Sequence, residues 1–127
     1  PMGNNESILL VDDEEVLADL SSQMIGKLGY RVESMHSSVE ALNHFRKTPE
    51  KYDLVITDMT MPNMTGIQLT GEIHKIRSGI PVILCTGYSK DLKQIDLKKL
   101  GIDALVMKPV IKKKIAKVIR EILENHK

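Results

Sequence analysis

Five short apolar runs, each followed by a stretch of helical spacing, constrain what this chain can fold into more than any other feature. The runs are Ile8-Leu9-Leu10-Val11, Tyr30-Arg31-Val32-Glu33-Ser34, Leu54-Val55-Ile56-Thr57, Val82-Ile83-Leu84-Cys85 and Ala104-Leu105-Val106-Met107. Four are nearly unbroken, the pattern of strands buried on both faces of a parallel sheet. The second alternates and predicts an edge strand. Between the runs, Val16, Leu17, Leu20, Met24 and Leu28 recur at helical spacing up to Gly29. Val39, Leu42 and Phe45 do the same up to Thr48-Pro49. Ile67, Leu69, Ile73 and Ile76 mark a third helix, and Leu92, Ile95 and Leu100 a weak fourth. Ile111, Ile115, Val118, Ile119, Ile122 and Leu123 mark a strong fifth. Strand–helix alternation repeated five times predicts an α/β fold, a doubly wound parallel sheet with right-handed crossovers.

A chain of 127 residues suffices for one such domain with one core. Aromatics make up only 3%, so that core must come from Ile, Leu, Val and Met. No linker, repeat or low-complexity segment divides it, which predicts one domain over residues 7–127. Pro1 stands before Met2, so residues 1–6 read as a disordered or vector-derived lead. No apolar run approaches the roughly 20 residues that span a bilayer, and no signal peptide opens the chain. A lone Cys85 excludes an internal disulfide, and the expected location is the cytoplasm, without membrane contact. Lys108, Lys112, Lys113, Lys114, Lys117 and Arg120 make the C-terminal segment basic. No aromatic or Gly-rich recognition element accompanies them, so a solvated helix face is expected and nucleic acid is not.

The chemically informative residues stand immediately after strands: Asp12-Asp13 after the first, Asp58 after the third, Thr86 after the fourth, Lys108 after the fifth. In an open parallel sheet these ends converge, and ligands bind there. Each residue also has a plain reading. Asp12-Asp13-Glu14-Glu15 suits a helix N-terminus, Asp58 and Thr86-Gly87 suit turns, and Lys108-Pro109 suits a strand exit. What favours a site is the coincidence of four strand ends carrying groups that suit one reaction.

Three carboxylates within about 4–6 Å repel by roughly 4 kcal/mol per close pair at an effective dielectric near 20. Such a cluster either takes up protons or binds a hard cation. Oxygen donors without His or Cys select Mg²⁺, or Mn²⁺. Asp58 then becomes a carboxylate nucleophile that attacks phosphorus and forms an aspartyl phosphate. The ammonium of Lys108 offsets charge on the transferring group, and the Thr86 hydroxyl can hydrogen-bond one of its oxygens. The four histidines are scattered, so no phosphodonor histidine is expected within the chain. Met59, Met61 and Met64 read as loop packing, and Cys85 as an inert core thiol.

Ile8-Leu-Leu-Val-Asp-Asp-Glu-Glu15, the stretch Asp53 to Gly66, Pro81 to Gly87 and Met107-Lys-Pro109 together resemble, in order and spacing, the response regulator receiver domains of two-component signalling. The likeness covers essentially the whole chain. It implies a flavodoxin-like five-stranded sheet of order 2-1-3-4-5 flanked by five helices. It further implies metal ligation by Asp13 directly, by Asp12 through water, by Asp58 and by the backbone carbonyl of Thr60. A cis Lys108–Pro109 bond is also expected. The implied function is a phosphoacceptor, not an enzyme with a separate substrate. A histidine kinase, or the phosphohistidine of a phosphotransfer protein, supplies the group to Asp58 in a Mg²⁺-dependent reaction. The domain then changes conformation and loses the group by self-dephosphorylation, and a phosphorylation-dependent dimer is among the expected partners. No organic cofactor is implied.

Two other functions fit parts of the pattern. A haloacid-dehalogenase-like small phosphatase also uses a strand-end Asp, a Thr, a Lys and Mg²⁺, but needs a second acid where this chain has Thr60. A flavin-binding module of the same topology needs a phosphate cradle after strand one, where Asp12 to Glu15 would repel phosphate. Within the receiver pattern, Leu105 stands where an aromatic or His is usual. Thr60 and Tyr88 occupy positions that tune dephosphorylation. Cys85-Thr86-Gly87-Tyr88 looks more like receivers attached to hybrid sensor kinases than like those on DNA-binding regulators.

Overall fold

The structure, a computed structural model, describes residues 3–87 and 96–126. Five parallel strands, β1 (Ser7–Val11), β2 (Arg31–Met35), β3 (Leu54–Asp58), β4 (Val82–Thr86) and β5 (Ala104–Met107), lie in the order β2-β1-β3-β4-β5. The helices are α1 (Glu15–Gly26), α2 (Ser38–Lys47), α3 (Gly66–Ile76), α4 (Leu97–Leu100) and α5 (Lys112–Asn125). The expected architecture and strand order are therefore found, with β2 at an edge as its alternating sequence predicts.

Alternation along the strands explains the unbroken apolar runs. Ile8, Leu10, Leu54, Ile56, Ile83 and Val106 face α1 and α5, meeting Ile25, Ile115 and Ile119. Leu9, Val11, Val55 and Val82 face the other way, meeting Leu42 and Phe45 of α2 and Leu69 and Ile73 of α3. Each strand thus needs apolar side chains on both faces. Helix starts follow local chemistry. Ser37 accepts a hydrogen bond from the Glu40 N–H at the start of α2. Thr65 and Gln68 form a reciprocal capping box at α3.

The structure corrects several sequence expectations. The second strand begins at Arg31, not Tyr30, and includes Met35. Helix α1 ends at Gly26, and its capping residue Lys27 leads into Leu28, which is buried, and Gly29 at φ +100°. Val16, Leu17 and Leu20 do not join the core: they are 72%, 40% and 56% exposed, whereas Ala18 and Ile25 are buried. Leu17 and Leu20 border an apolar cavity between α1 and the sheet rather than packing into the core, and Val16 is left in solvent. Ile111 precedes α5 as its exposed N-cap residue. Leu92, Ile95 and Tyr88 lie outside the described residues.

The lead at residues 3–6 runs along the body of the domain. Gly3 and Asn5 donate N–H groups to the carbonyls of Leu28 and Gly29, and Glu6 pairs with Arg120 of α5 at 2.9 Å. Backbone groups of the α1–β2 turn thus give this stretch fixed partners.

Candidate functional site

Each site residue is placed by a strand ending. Asp12 continues β1 by one bond, its N–H donating to the Met35 carbonyl at 3.0 Å, and is only 7% exposed. Its Oδ1 accepts the Glu14 N–H at 3.0 Å, serving the start of α1 where Glu14 itself provides no side-chain cap. Asp13, one residue on, is exposed. Asp58 ends β3 in register with Cys85 and is 7% exposed. Beyond it the Met59 N–H reaches the Cys85 carbonyl, and the Gly66 N–H returns to the Met59 carbonyl, closing the loop between β3 and α3. Met61 is buried in that loop and Met64 packs beside it, the hydrophobic role expected of them. Thr86 ends β4 and is 3% exposed. The Lys108 N–H donates to its carbonyl at 2.8 Å, extending the β4–β5 ladder to the lysine. The Lys108–Pro109 bond is cis.

The ammonium of Lys108 lies 3.0 Å from Asp58 Oδ1 and 3.1 Å from Asp12 Oδ2. One carboxylate oxygen from each of Asp12, Asp13 and Asp58 lies within 4.8 Å of the others. Five strand-end residues singled out in the sequence therefore meet at one end of the sheet: Asp12, Asp13, Asp58 and Lys108 as a charged cluster, with Thr86 buried beside them. Thr60 follows in the β3–α3 loop and is exposed.

Burial pushes the Asp58 carboxyl above its ordinary range. The negative charges of Asp12 and Asp13 add to this, and Lys108 opposes it. Burial works against the Lys108 ammonium, but its hydrogen bonds to Asp58 and Asp12 outweigh that and raise its pKa. Three carboxylates against one ammonium leave an excess of negative charge, and a divalent cation would bring the group to neutrality. All the donors are hard oxygens, so the residues fit an ion of the Mg²⁺ class. Burial also pushes the Cys85 thiol up to about 12, which fits an inert core residue.

Two features were not legible in the sequence. Gly66 is one: a Cβ there would fall on the carbonyl oxygen of Asp58 and lie 2.8 Å from Leu84 Cδ1, so the acceptor strand needs glycine as its neighbour. The clue available was a Gly directly after the capping Thr65, which by itself indicates only a helix start. The second is an apolar cavity of about 430 Å³ behind the charged cluster, between α1 and the sheet.

The family model for the response regulator receiver domain matches residues 8–120. The chain is 35% identical over 121 residues to the 3',5'-cyclic-nucleotide phosphodiesterase regA of Dictyostelium discoideum, covering 93% of this chain and 15% of that protein. It is 34% identical over 103 residues to the sensor histidine kinase RcsC of Escherichia coli, covering 81% of this chain and 11% of that one. The crystal structure of a response regulator receiver domain protein from Clostridium thermocellum superposes with a TM-score of 0.88 at 31% identity, covering 94% of this chain and 95% of that one. This chain belongs to the response regulator receiver family of two-component signalling. It spans between 11% and 50% of the length of the curated relatives it matches, and those relatives carry different names. Among the described residues, no helix is long and apolar enough to cross a membrane.

Proposed function

We propose that this domain accepts a phosphoryl group on Asp58 from a phosphohistidine of a histidine kinase or phosphotransfer protein. The observation that carries this reading is the contact of one ammonium with two nearly buried carboxylates at 3.0 and 3.1 Å, beside a third carboxylate. An oxygen of Asp58 attacks phosphorus as the donor's P–N bond breaks. The electron pair of that bond leaves with the imidazole, and an acyl phosphate forms on the carboxyl. Lys108 loses its ion pair with the carboxylate as that charge is consumed, and its ammonium becomes available to the phosphoryl oxygens. Thr86, on the neighbouring strand end, is the hydroxyl that would hydrogen-bond one of them. Asp12, Asp13, Asp58 and the Thr60 carbonyl would hold Mg²⁺, which when bound supplies charge neutralisation for the dianionic group. Asp13 is the exposed member and Asp12 is already committed to Lys108 and the Glu14 N–H, which supports direct ligation by Asp13.

The signal leaves through the face that Thr86 shares with Leu105. Strand register places Leu84 opposite Leu105 and Thr86 opposite Met107. Leu105 is half-buried and has no polar tip, so it repacks without making or breaking a hydrogen bond. The conformational change is correspondingly modest, and any dimer formed on phosphorylation uses small differential contacts. The Cys85-Thr86-Gly87 stretch supports origin in a hybrid sensor kinase, with the domain acting in the cytoplasm and without nucleic-acid contact of its own. The family match gives no support to the phosphatase and flavin readings.

The test is incubation with acetyl phosphate and Mg²⁺, followed by intact-mass measurement. One added phosphoryl mass is expected, lost on hydroxylamine treatment, absent with excess chelator and absent in Asp58→Asn. Undiminished labelling in that variant, or in chelator, would overturn the reading.

A further inference from the structure

Strand β3 keeps register with β1 only as far as the Val11–Thr57 pair, so Asp58 has a strand partner on the β4 side alone, at Cys85. The Met59 N–H points to β4 and donates to the Cys85 carbonyl at 2.8 Å. The Asp58–Met59 peptide is trans. In a trans peptide the C=O and the N–H point in opposite directions, so the Asp58 carbonyl is turned toward β1, past the last pair of that ladder. A buried carbonyl in such a place needs a donor from outside the ladder. The Thr57 hydroxyl supplies one, donating to the Asp58 carbonyl oxygen at 3.1 Å from a fully buried side chain. Gly66 packs against the same oxygen, which a Cβ there would strike.

We infer that Thr57 is a positioning residue for the acceptor: its hydroxyl holds the Asp58–Met59 peptide and thereby sets the direction in which the Asp58 carboxylate meets phosphorus. This rests on the reading of Asp58 as the acceptor. Successive strand side chains point to opposite faces of a sheet. Asp58 shares its face with Ile56, both bordering the cavity beside α1, and Thr57 stands with Val55 on the face of α2 and α3. Thr57 therefore acts from the far side of the sheet, through the backbone. When its hydrogen bond is lost, the peptide can rock and the Cα–Cβ bond of Asp58 rocks with it. That displaces a carboxylate oxygen held 3.0 Å from the Lys108 ammonium. Rates are steep in such placement, and a shift of roughly 1 Å can cost about 10²-fold.

The experiment measures the rate of phosphorylation by acetyl phosphate in excess Mg²⁺, and the thermal midpoint, for the full chain unaltered and as Thr57→Val, Thr57→Ser and Thr57→Ala. Valine keeps the shape of threonine without the hydroxyl, and its rate should fall about tenfold, within the range for small displacements of a reacting group. Serine keeps the hydroxyl without the methyl group. Its rate should stay within about twofold of the unaltered chain although the cavity left by the methyl lowers its midpoint. Rate and stability then move apart, which a role confined to stability does not allow. Should Thr57→Val fail to fold, Thr57→Ser against Thr57→Ala isolates the same hydroxyl, and the serine variant should be about tenfold faster. Equal rates in Thr57→Val and the unaltered chain, or rates that follow the thermal midpoints across the set, would overturn the inference and leave Asp58 as the acceptor. An unaltered chain that takes up no phosphoryl group would remove the acceptor reading itself, and this inference with it.

Discussion

The ammonium of Lys108 and the carboxylate of Asp58 stand 3.0 Å apart at the ends of two strands that do not touch, β4 lying between them. The lysine spans that gap and reaches Asp12 as well, so one cation tempers two buried anions.

Lys108→Met keeps the side-chain stem and removes the charge. It should cost about 2 kcal/mol in the absence of divalent ions, below the roughly 3–5 kcal/mol for losing one partner of a fully buried pair, because Lys108 keeps some exposure. Urea unfolding checks this. Mg²⁺ should restore more stability to the variant than it adds to the unaltered domain, since it meets a less compensated cluster. Identical unfolding midpoints with and without Mg²⁺ would contradict it.

Asp58→Asn should have the opposite effect on stability. Burial raises the Asp58 pKa, with Asp12 and Asp13 adding to it, so the folded state holds a proton the unfolded chain has released. The contribution is therefore most favourable below the unfolded pKa and declines as pH rises through the folded one. At neutral pH the ionised carboxylate destabilises the fold, and the neutral amide should add about 1 kcal/mol, roughly 4 °C in thermal midpoint for a domain near this size. The gain should vanish toward pH 3, where the native carboxyl is itself protonated. Differential scanning calorimetry at pH 7 and pH 3 measures both.

Much of this architecture is legible in the sequence because apolar periodicity and strand-end chemistry are local. Ile8 to Val11 reads as a doubly buried strand, and Asp12, Asp58 and Lys108 stand out because each directly follows one. Helix α1 was harder to read. Val16, Leu17 and Leu20 have the spacing of a core stripe, yet whether a stripe meets a core depends on what lies opposite, and there Leu17 and Leu20 border a cavity while Val16 is exposed. The same blindness hides Gly66, whose need for hydrogen at Cα comes from the Asp58 carbonyl, a tertiary neighbour. It also hides the Glu6–Arg120 pair, which joins the two ends of the chain.

Gly66→Ala should destabilise the domain by about 1–3 kcal/mol, the range for forcing a methyl group into a filled site. The clash is with backbone, which cannot turn aside as a side chain can, and with Leu84 Cδ1. The shift falls on Asp58, so phosphorylation by acetyl phosphate should slow as well. Gly71→Ala is the control: nothing lies within 4 Å of an added Cβ there, and its stability should match or slightly exceed that of the unaltered domain.

Cys85 should be silent toward thiol reagents in the folded domain. It is 5% exposed, and burial lifts its pKa to about 12. Reaction with a disulfide reagent should stay slow and show no plateau between pH 7 and 9, then become fast in denaturant, where the thiol returns to its ordinary pKa. A native-state rate that rises tenfold per pH unit to a plateau near pH 8.5 would show an accessible thiolate instead.

The decisive measurement locates the acyl phosphate itself. Borohydride reduces an aspartyl phosphate to homoserine, which survives proteolysis and tandem mass spectrometry. After treatment with acetyl phosphate and Mg²⁺, homoserine should appear at position 58 and nowhere else, and only in the phosphorylated sample. Homoserine at position 12 or 13, or a phosphoryl mass that leaves Asp58 unreduced, would contradict the assignment of Asp58 as the acceptor.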